Sequence, residues 1–200
     1  MTAKTGCVIA FEGLDQSGKQ TQAERLLDAC RRAGHRTEFL TFPAYETAIG
    51  IEIEHALHRD RDYQPDTLQL LYIANRFEFR PRITTWLESG TIVVCDRYLA
   101  SSIAYGEAQG VDPQWLTEVQ RLLPQPSLTL FLDMTPQVSL TRKNANRDKF
   151  ERDMPLLERV RRSYLRQSNA PDWVRLDAEQ DKDAVAAAVL SAVRSRLALP

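Results

Sequence analysis

Cysteine is scarce: Cys7, Cys30 and Cys95 are the three among 200 residues. Their number is odd, their spacing wide, and no CxxC pair occurs, which excludes a disulfide framework and a cysteine-rich zinc site and suits a reducing compartment. An excess of positive charge is also missing. The 26 basic and 27 acidic side chains leave a formal charge of −1, so no global field exists to hold a nucleic-acid polymer. Nowhere do about 18 apolar residues follow one another as a membrane span requires, and the first ten residues hold too short an apolar run for a signal-peptide core. A soluble, cytoplasmic protein with no membrane partner is expected. Eight glycines and ten prolines are spread along the chain, which rules out collagen-like and low-complexity architectures.

What is present is ordinary globular composition, 43% apolar and 26% charged. The length suits one core, and residues 1–200 read as a single domain without repeat or linker. Cys7–Phe11 is a short apolar run followed by a glycine-containing loop. From Lys19, Ala23, Leu26, Leu27 and Cys30 recur at helical spacing up to Gly34. Thr37–Phe42, Thr91–Cys95, Leu128–Leu132 and Trp173–Leu176 read as further strands, the second and third suited to burial on both faces. Ala48–Leu57, Pro65–Ser89 with a break or kink at Pro81, the stretch around Leu156, Leu157, Val160 and Tyr164, and Asp183–Leu197 read as helices. Strands alternating with helices predict an α/β fold: a three-layer sandwich with a mainly parallel sheet, helices on both faces and a ligand site at the carboxyl ends of the strands.

The sharpest motif lies where the first predicted strand meets the first predicted helix. Gly13-Leu14-Asp15-Gln16-Ser17-Gly18-Lys19 fits the first seven positions of the phosphate-binding loop GxxxxGK[ST]. Glycines at this spacing let backbone N–H groups turn toward phosphate oxygens, the helix start adds partial positive charge, and Lys19 reaches the terminal phosphates. The loop therefore predicts a P-loop fold and a nucleotide polyphosphate. Gln20 stands where Ser or Thr supplies a hydroxyl to Mg²⁺; its amide oxygen is one substitute, and Thr21 points about 100° further around the helix.

Asp96-Arg97-Tyr98 follows directly on the strand Thr91–Cys95, putting a carboxylate at a strand's carboxyl end where it can orient water around Mg²⁺. Arg97 offers a planar fork for phosphate oxygens; a surface pair capping a helix is the other reading. The three histidines, His35, His55 and His58, have no companions at metal-ligand spacing.

Taken in order, Phe11-Glu12-Gly13 through Gln22, Phe42-Pro43 to Gly50, Ala74-Asn75-Arg76 and Asp96-Arg97-Tyr98 resemble the thymidylate kinase family over most of residues 5–167. The resemblance implies a nucleoside-monophosphate kinase fold, transfer of the γ-phosphoryl group of ATP to dTMP to give dTDP for dTTP synthesis, Mg²⁺ as metal, and a homodimer. It also implies roles. Asp15 lies near the acceptor sugar and phosphate, or makes a loop-stabilising turn. Arg76 hydrogen-bonds the acceptor base while Tyr72 stacks on it or fills the core. Phe42, Tyr45, Ser101, Ser102 and Tyr105 line the acceptor pocket, and Arg97 binds the substrate there. Relatives often carry arginine at one of the two positions after Phe42-Pro43, where this chain has Ala44 and Tyr45, and some carry one at the position of Gln16.

The missing charge is then expected from residues 142–152, a lid rich in basic side chains in which Arg142 and Arg147 are the candidate catalytic arginines; a solvated helix face is the alternative. Arg159, Arg161, Arg162 and Arg166 read as solvated surface. Two further functions stay open: a kinase of another nucleoside monophosphate or deoxynucleoside, and a nucleotide-binding module with weak catalysis.

Overall fold

The structure, a computed structural model, describes residues 6–58, 60–142, 150 and 153–199. Strands β1 (Cys7–Glu12), β2 (Thr37–Thr41), β3 (Ile92–Asp96), β4 (Leu128–Asp133) and β5 (Trp173–Asp177) form one parallel sheet in the order β2-β3-β1-β4-β5. Helices α1 (Lys19–Arg32), α2 (Ala48–Leu57), α3 (Pro65–Glu88), α4 (Leu99–Ala108), α5 (Pro113–Val119), α6 (Pro136–Arg142), α7 (Met154–Gln167) and α8 (Lys182–Leu197) complete the described fold.

β3 and β4 are buried at every position, as their apolar, β-branched runs require of interior parallel strands. Alternation along β1 divides its side chains between two cores. Ile9 and Phe11 pack with Leu26 and Leu27 of α1 and with Val185 and Val189 of α8. Val8 and Ala10 face the other way, toward Phe79 and Ile83 of α3. Further along that second face, Phe131 of β4 packs with Ala104 of α4 and Val160 and Tyr164 of α7. The sandwich thus has three layers, and burial of each large apolar side chain contributes about 1.5–3 kcal/mol.

The sheet order positions the site. After β1 the chain runs out to the edge strand β2 and returns to β3; after β3 it crosses β1 to reach β4. The crevice between outward and returning connections opens at the carboxyl ends of β1 and β3. Parallel register sets Phe11 opposite Asp96, so the loops that follow the two strands begin side by side.

Three expectations need correction. α3 runs through Pro81 without a break: the lost hydrogen bond and ring clash of an interior proline cost about 3 kcal/mol, which burial of Phe79 and Ile83 in the same helix offsets. Asp96 belongs to β3 rather than following it. Of the arginines expected mostly at the solvated surface, Arg159 and Arg166 are exposed, Arg159 donating to the Ala108 carbonyl and Arg166 pairing with Glu107, but Arg161 is half-buried and donates to Asp133 at 2.8 Å. Asp133 closes a buried strand and also pairs with Arg175, so its carboxylate is compensated from both sides. Of the expected lid, Arg142 ends α6 and Phe150 is buried; Arg147 lies outside the described residues. Among those described, no helix is long and apolar enough to cross a membrane.

Candidate active site

The loop Gly13–Gly18 joins β1 to α1 through backbone conformations that its glycines permit. Gly13 has φ +143°, and a Cβ there would stand 2.5 Å from the Leu132 carbonyl oxygen. Gly18 caps α1 at φ 87° without any side-chain hydrogen bond to the helix's first N–H groups, which leaves those donors for a ligand. Lys19 is buried and its Nζ donates to the Leu14 carbonyl at 2.9 Å. Burial, and then the charge of Arg97, pull its pKa down against Asp96, Asp15 and Glu12. The Asp15 carbonyl accepts from Ser139 Oγ at 2.8 Å. Arg142 reaches from the end of α6 to the carbonyls of Gln16 (3.2 Å) and Ala178 (2.9 Å).

Two predicted metal contacts differ in posture. Asp96 is buried, and its Oδ1 has no hydrogen-bond partner. Gln20 and Thr21 are exposed on the first turn of α1, and the Gln20 carboxamide donates to Glu24 at 2.9 Å.

Beside the loop opens a cleft lined by all nine residues expected at the acceptor, Asp15, Phe42, Tyr45, Tyr72, Arg76, Arg97, Ser101, Ser102 and Tyr105, together with Pro43, Leu57 and Phe150. Arg76 is only 2% exposed. Its NH1 donates to Ser102 Oγ at 2.7 Å and to the Tyr72 carbonyl at 3.3 Å, while its Nε has no partner. Burial lowers its pKa. The guanidinium is thus a buried, positively charged group on the wall of the cleft, held in place from behind by Ser102 and the Tyr72 carbonyl.

Arg97 stands between cleft and loop. NH1 donates to the Gly13 carbonyl at 3.0 Å, and NH2 to Asp15 Oδ1 at 2.7 Å. The guanidinium also covers the Tyr105 ring, 5.3 Å from its centroid. Burial works to raise the Asp15 carboxyl, but the charges of Arg97 and Lys19 and hydrogen bonds from Arg97 and Tyr105 outweigh it and hold the group well below the usual carboxylate range.

Two residues without a predicted role carry the framework. Asn75 is buried; its Oδ1 accepts from Ala44 N at 2.8 Å, and its Nδ2 donates to Thr47 Oγ1 and Glu78 at 2.9 Å each. It thereby fixes the loop that carries Phe42, Pro43 and Tyr45. Glu12 accepts from Tyr98 N at 2.8 Å, from Ser101 Oγ at 2.6 Å and from Tyr164 OH at 3.0 Å. The signal for Glu12 was a carboxylate at the end of an apolar strand. Tyr164 gave none, since it sits on the apolar stripe of a helix.

The arrangement suits transfer between two phosphorylated ligands: one site rich in backbone donors with a buried lysine, a second cleft with a buried arginine, and a permanently charged guanidinium between them. Known proteins share this plan. A family model described as thymidylate kinase matches residues 11–189. The thymidylate kinase of Schizosaccharomyces pombe is 31% identical over 193 residues, 94% of this chain and 91% of its own length. That of Homo sapiens is 33% identical over 188 residues, 92% of this chain and 88% of its own. The solved structure of Candida albicans thymidylate kinase, described as revealing the origin of broad substrate specificity, superposes with a TM-score of 0.82 at 28% identity and covers 96% of this chain and 92% of its own. Agreement along nearly the whole chain, in sequence as well as in fold, means that this protein belongs to the thymidylate kinase family.

Proposed function

We propose that the protein transfers the γ-phosphoryl group of ATP to dTMP, forming dTDP and ADP. The observation that carries the reading is Arg76: a buried guanidinium, held by Ser102 and the Tyr72 carbonyl, that lines the cleft beside Arg97 and Asp15. An acceptor base with a carbonyl edge meets this guanidinium, Tyr72 lies beside the ring, and Tyr105 and Asp15 meet the deoxyribose. Its phosphate then points toward Arg97 and the loop.

In-line phosphoryl transfer asks little covalent chemistry of a protein; alignment, charge neutralisation and exclusion of water supply the rate. Backbone N–H groups of Gly13–Thr21 and Lys19 Nζ hold the donor phosphates. Arg97 spans both ligands and screens their repulsion, and Asp15 orients Arg97. Arg142, already between the phosphate loop and the turn after β5, is on the donor side. The stretch 142–152 closes over ATP, with Arg142 and Arg147 as the arginines that meet the transferring group. Because Lys19, Asp96 and Arg97 converge at one crevice, a kinase is favoured over a module that only binds nucleotide.

Mg²⁺ belongs to the reading through Asp96, whose buried, unpartnered Oδ1 is a donor suited to the ion or its water. Gln20 is the second assignment. When bound, the ion neutralises charge on the donor phosphates. We further propose a single domain, a homodimer and a cytoplasmic location.

Coupled ADP release across nucleoside monophosphates tests the substrate. dTMP is expected to give the highest kcat/KM; a preference for dCMP, AMP or GMP would move the assignment to another monophosphate.

A further inference from the structure

The cleft residues do not explain why a carboxylate is buried behind them. Glu12 has no exposed surface and does not line the acceptor cleft. Dehydrating an ionised carboxylate costs several kcal/mol unless hydrogen bonds compensate it, and around Glu12 they do so completely. Oε1 accepts from Tyr98 N at 2.8 Å and Ser101 N at 3.3 Å; Oε2 accepts from Ser101 Oγ at 2.6 Å and Tyr164 OH at 3.0 Å. Four donors fill the acceptor capacity of one carboxylate.

All four belong to the surroundings of Arg97. Arg97 adopts φ 63°, a left-handed conformation that costs a non-glycine residue roughly 1–2 kcal/mol and persists only where neighbours fix it. They fix it from both sides: Arg97 N donates to the Phe11 carbonyl at 2.9 Å, and the next amide, Tyr98 N, to Glu12. The two terminal residues of β1 therefore hold the turn. Tyr98, the N-cap of α4, makes no side-chain cap of its own. Glu12 caps the helix from another strand through Ser101 N, with negative charge at the helix start.

The same carboxylate sets the direction of the hydroxyls that Arg97 uses. Ser101 Oγ donates to Oε2 at 2.6 Å, and Tyr164 OH, 3.0 Å from Oε2 and 2.9 Å from Ser101 Oγ, belongs to the same hydrogen-bonded group; with a proton drawn to the carboxylate, their oxygens are left to accept from Arg97 NH1, at 3.2 Å and 3.4 Å. Burial and then the charge of Glu12 push the Tyr164 phenol up, keeping it protonated. Remove the strong acceptor and either hydroxyl can turn its proton toward the guanidinium. NH1 is then left with the Gly13 carbonyl as its one assured acceptor, and the fork that meets Asp15 is held less firmly.

We infer that Glu12 is a positioning residue for phosphoryl transfer: through Tyr98, Ser101 and Tyr164 it holds the backbone and guanidinium of Arg97 in the geometry that serves both phosphates. The inference rests on the kinase reading above but not on the identity of the acceptor base.

The test is a double-mutant cycle between Glu12→Gln and Arg97→Ala, read on kcat with whichever monophosphate the parent enzyme turns over fastest. Glu12→Gln keeps the size of the side chain but turns an N–H₂ toward two hydroxyls. Misplacement of a reacting group by about 1 Å costs roughly 10²-fold, so kcat should fall on the order of 10²-fold while KM for ATP stays within about twofold. In the Arg97→Ala background the same substitution should cost less than about threefold, because the group it positions is gone. Losses that multiply independently, or equal losses in kcat and in ATP binding, would overturn the inference. Should Glu12→Gln not fold, Tyr164→Phe carries the cycle: it keeps the ring stacked on Phe131 and removes one of the two hydroxyls, and the same non-additivity with Arg97→Ala is required. A parent enzyme that phosphorylates no monophosphate would refute the kinase reading instead. Isothermal titration of ATP into Glu12→Gln and parent, expected to agree within about twofold, distinguishes that case from a collapsed donor site.

Discussion

Arg97 NH2 lies 2.7 Å from Asp15 Oδ1, a contact between residues 82 positions apart that joins the turn after β3 to the phosphate loop. The pair keeps Asp15 ionised far below neutral pH, since the attraction of Arg97 and Lys19 overcomes the penalty of burial. A carboxyl whose pKa is lower folded than unfolded stabilises the fold above its unfolded value, about 3.9, and that contribution disappears as pH falls toward the folded value. Asp15→Asn should therefore reduce the dependence of urea stability on pH below about pH 4 and leave no trace of it above pH 5. The kcat/KM profile should contain no limb due to Asp15 between pH 5 and 9. A limb near pH 6 abolished by Asp15→Asn would contradict this account of the pair.

Lys19→Met should remove donor-phosphate stabilisation while leaving the fold in place. Its Nζ contacts the Leu14 carbonyl within the loop, so the substitution frees one carbonyl and no core packing. Loss of a charged donor from a water-poor site lowers kcat/KM for ATP by roughly 10³-fold, with circular dichroism and thermal midpoint close to parental. A folded Lys19→Met protein of undiminished activity would reject the loop as the donor site.

The metal assignment distinguishes Asp96, at the end of β3, from Gln20, on the first turn of α1. Asp96 Oδ1 is buried and unpartnered, whereas the Gln20 carboxamide is bonded to Glu24. With Mn²⁺ as probe, electron paramagnetic resonance titration of the ATP complex should give about 10–100-fold weaker binding for Asp96→Asn and less than about threefold change for Gln20→Ala. Equal losses would mean that Gln20 leaves Glu24 to join the metal shell.

How much of this was legible beforehand depends on the range of the interaction. The phosphate loop is a local motif, with glycines, lysine and helix start within seven residues, and a single chain carries it visibly. The parallel sheet followed from buried β-branched runs between helical ones. Sheet order did not, because which strand neighbours β1 is decided by packing across the whole chain, and α4, α5 and α6 did not announce themselves by an uninterrupted apolar period. At the site, Arg76, Arg97 and Tyr105 stood out through their order along the chain. The roles of Glu12 and Tyr164 did not: they are written in contacts spanning 89 and 152 positions. Arg161 misled for the same reason, since nothing near it in sequence discloses Asp133.

The transferring phosphoryl group needs positive charge as its own charge develops. Gln16 is neutral and Tyr45, though it lines the cleft, carries no charge, so beyond Lys19 the phosphate loop and the loop after β2 provide no arginine for it. Arg142 is anchored by carbonyl contacts on both sides of the donor site, at Gln16 and Ala178. Such contacts are replaceable by ligand acceptors, and an arginine held this way serves ATP binding as well as transfer. Arg142→Ala should therefore raise KM for ATP about tenfold and lower kcat less. Arg147→Ala, if that residue meets the charge that develops in transfer, should lower kcat on the order of 10³-fold and change KM little. Arg161 cannot serve as a neutral surface control because it is paired with Asp133; exposed Arg162 can, and Arg162→Ala should match the parent. Steady-state kinetics on the three single variants and on the Arg142→Ala, Arg147→Ala double variant decide the matter. Near-parental kcat in the double variant would remove the lid from catalysis and leave Arg97 as the cation that faces the transferring group.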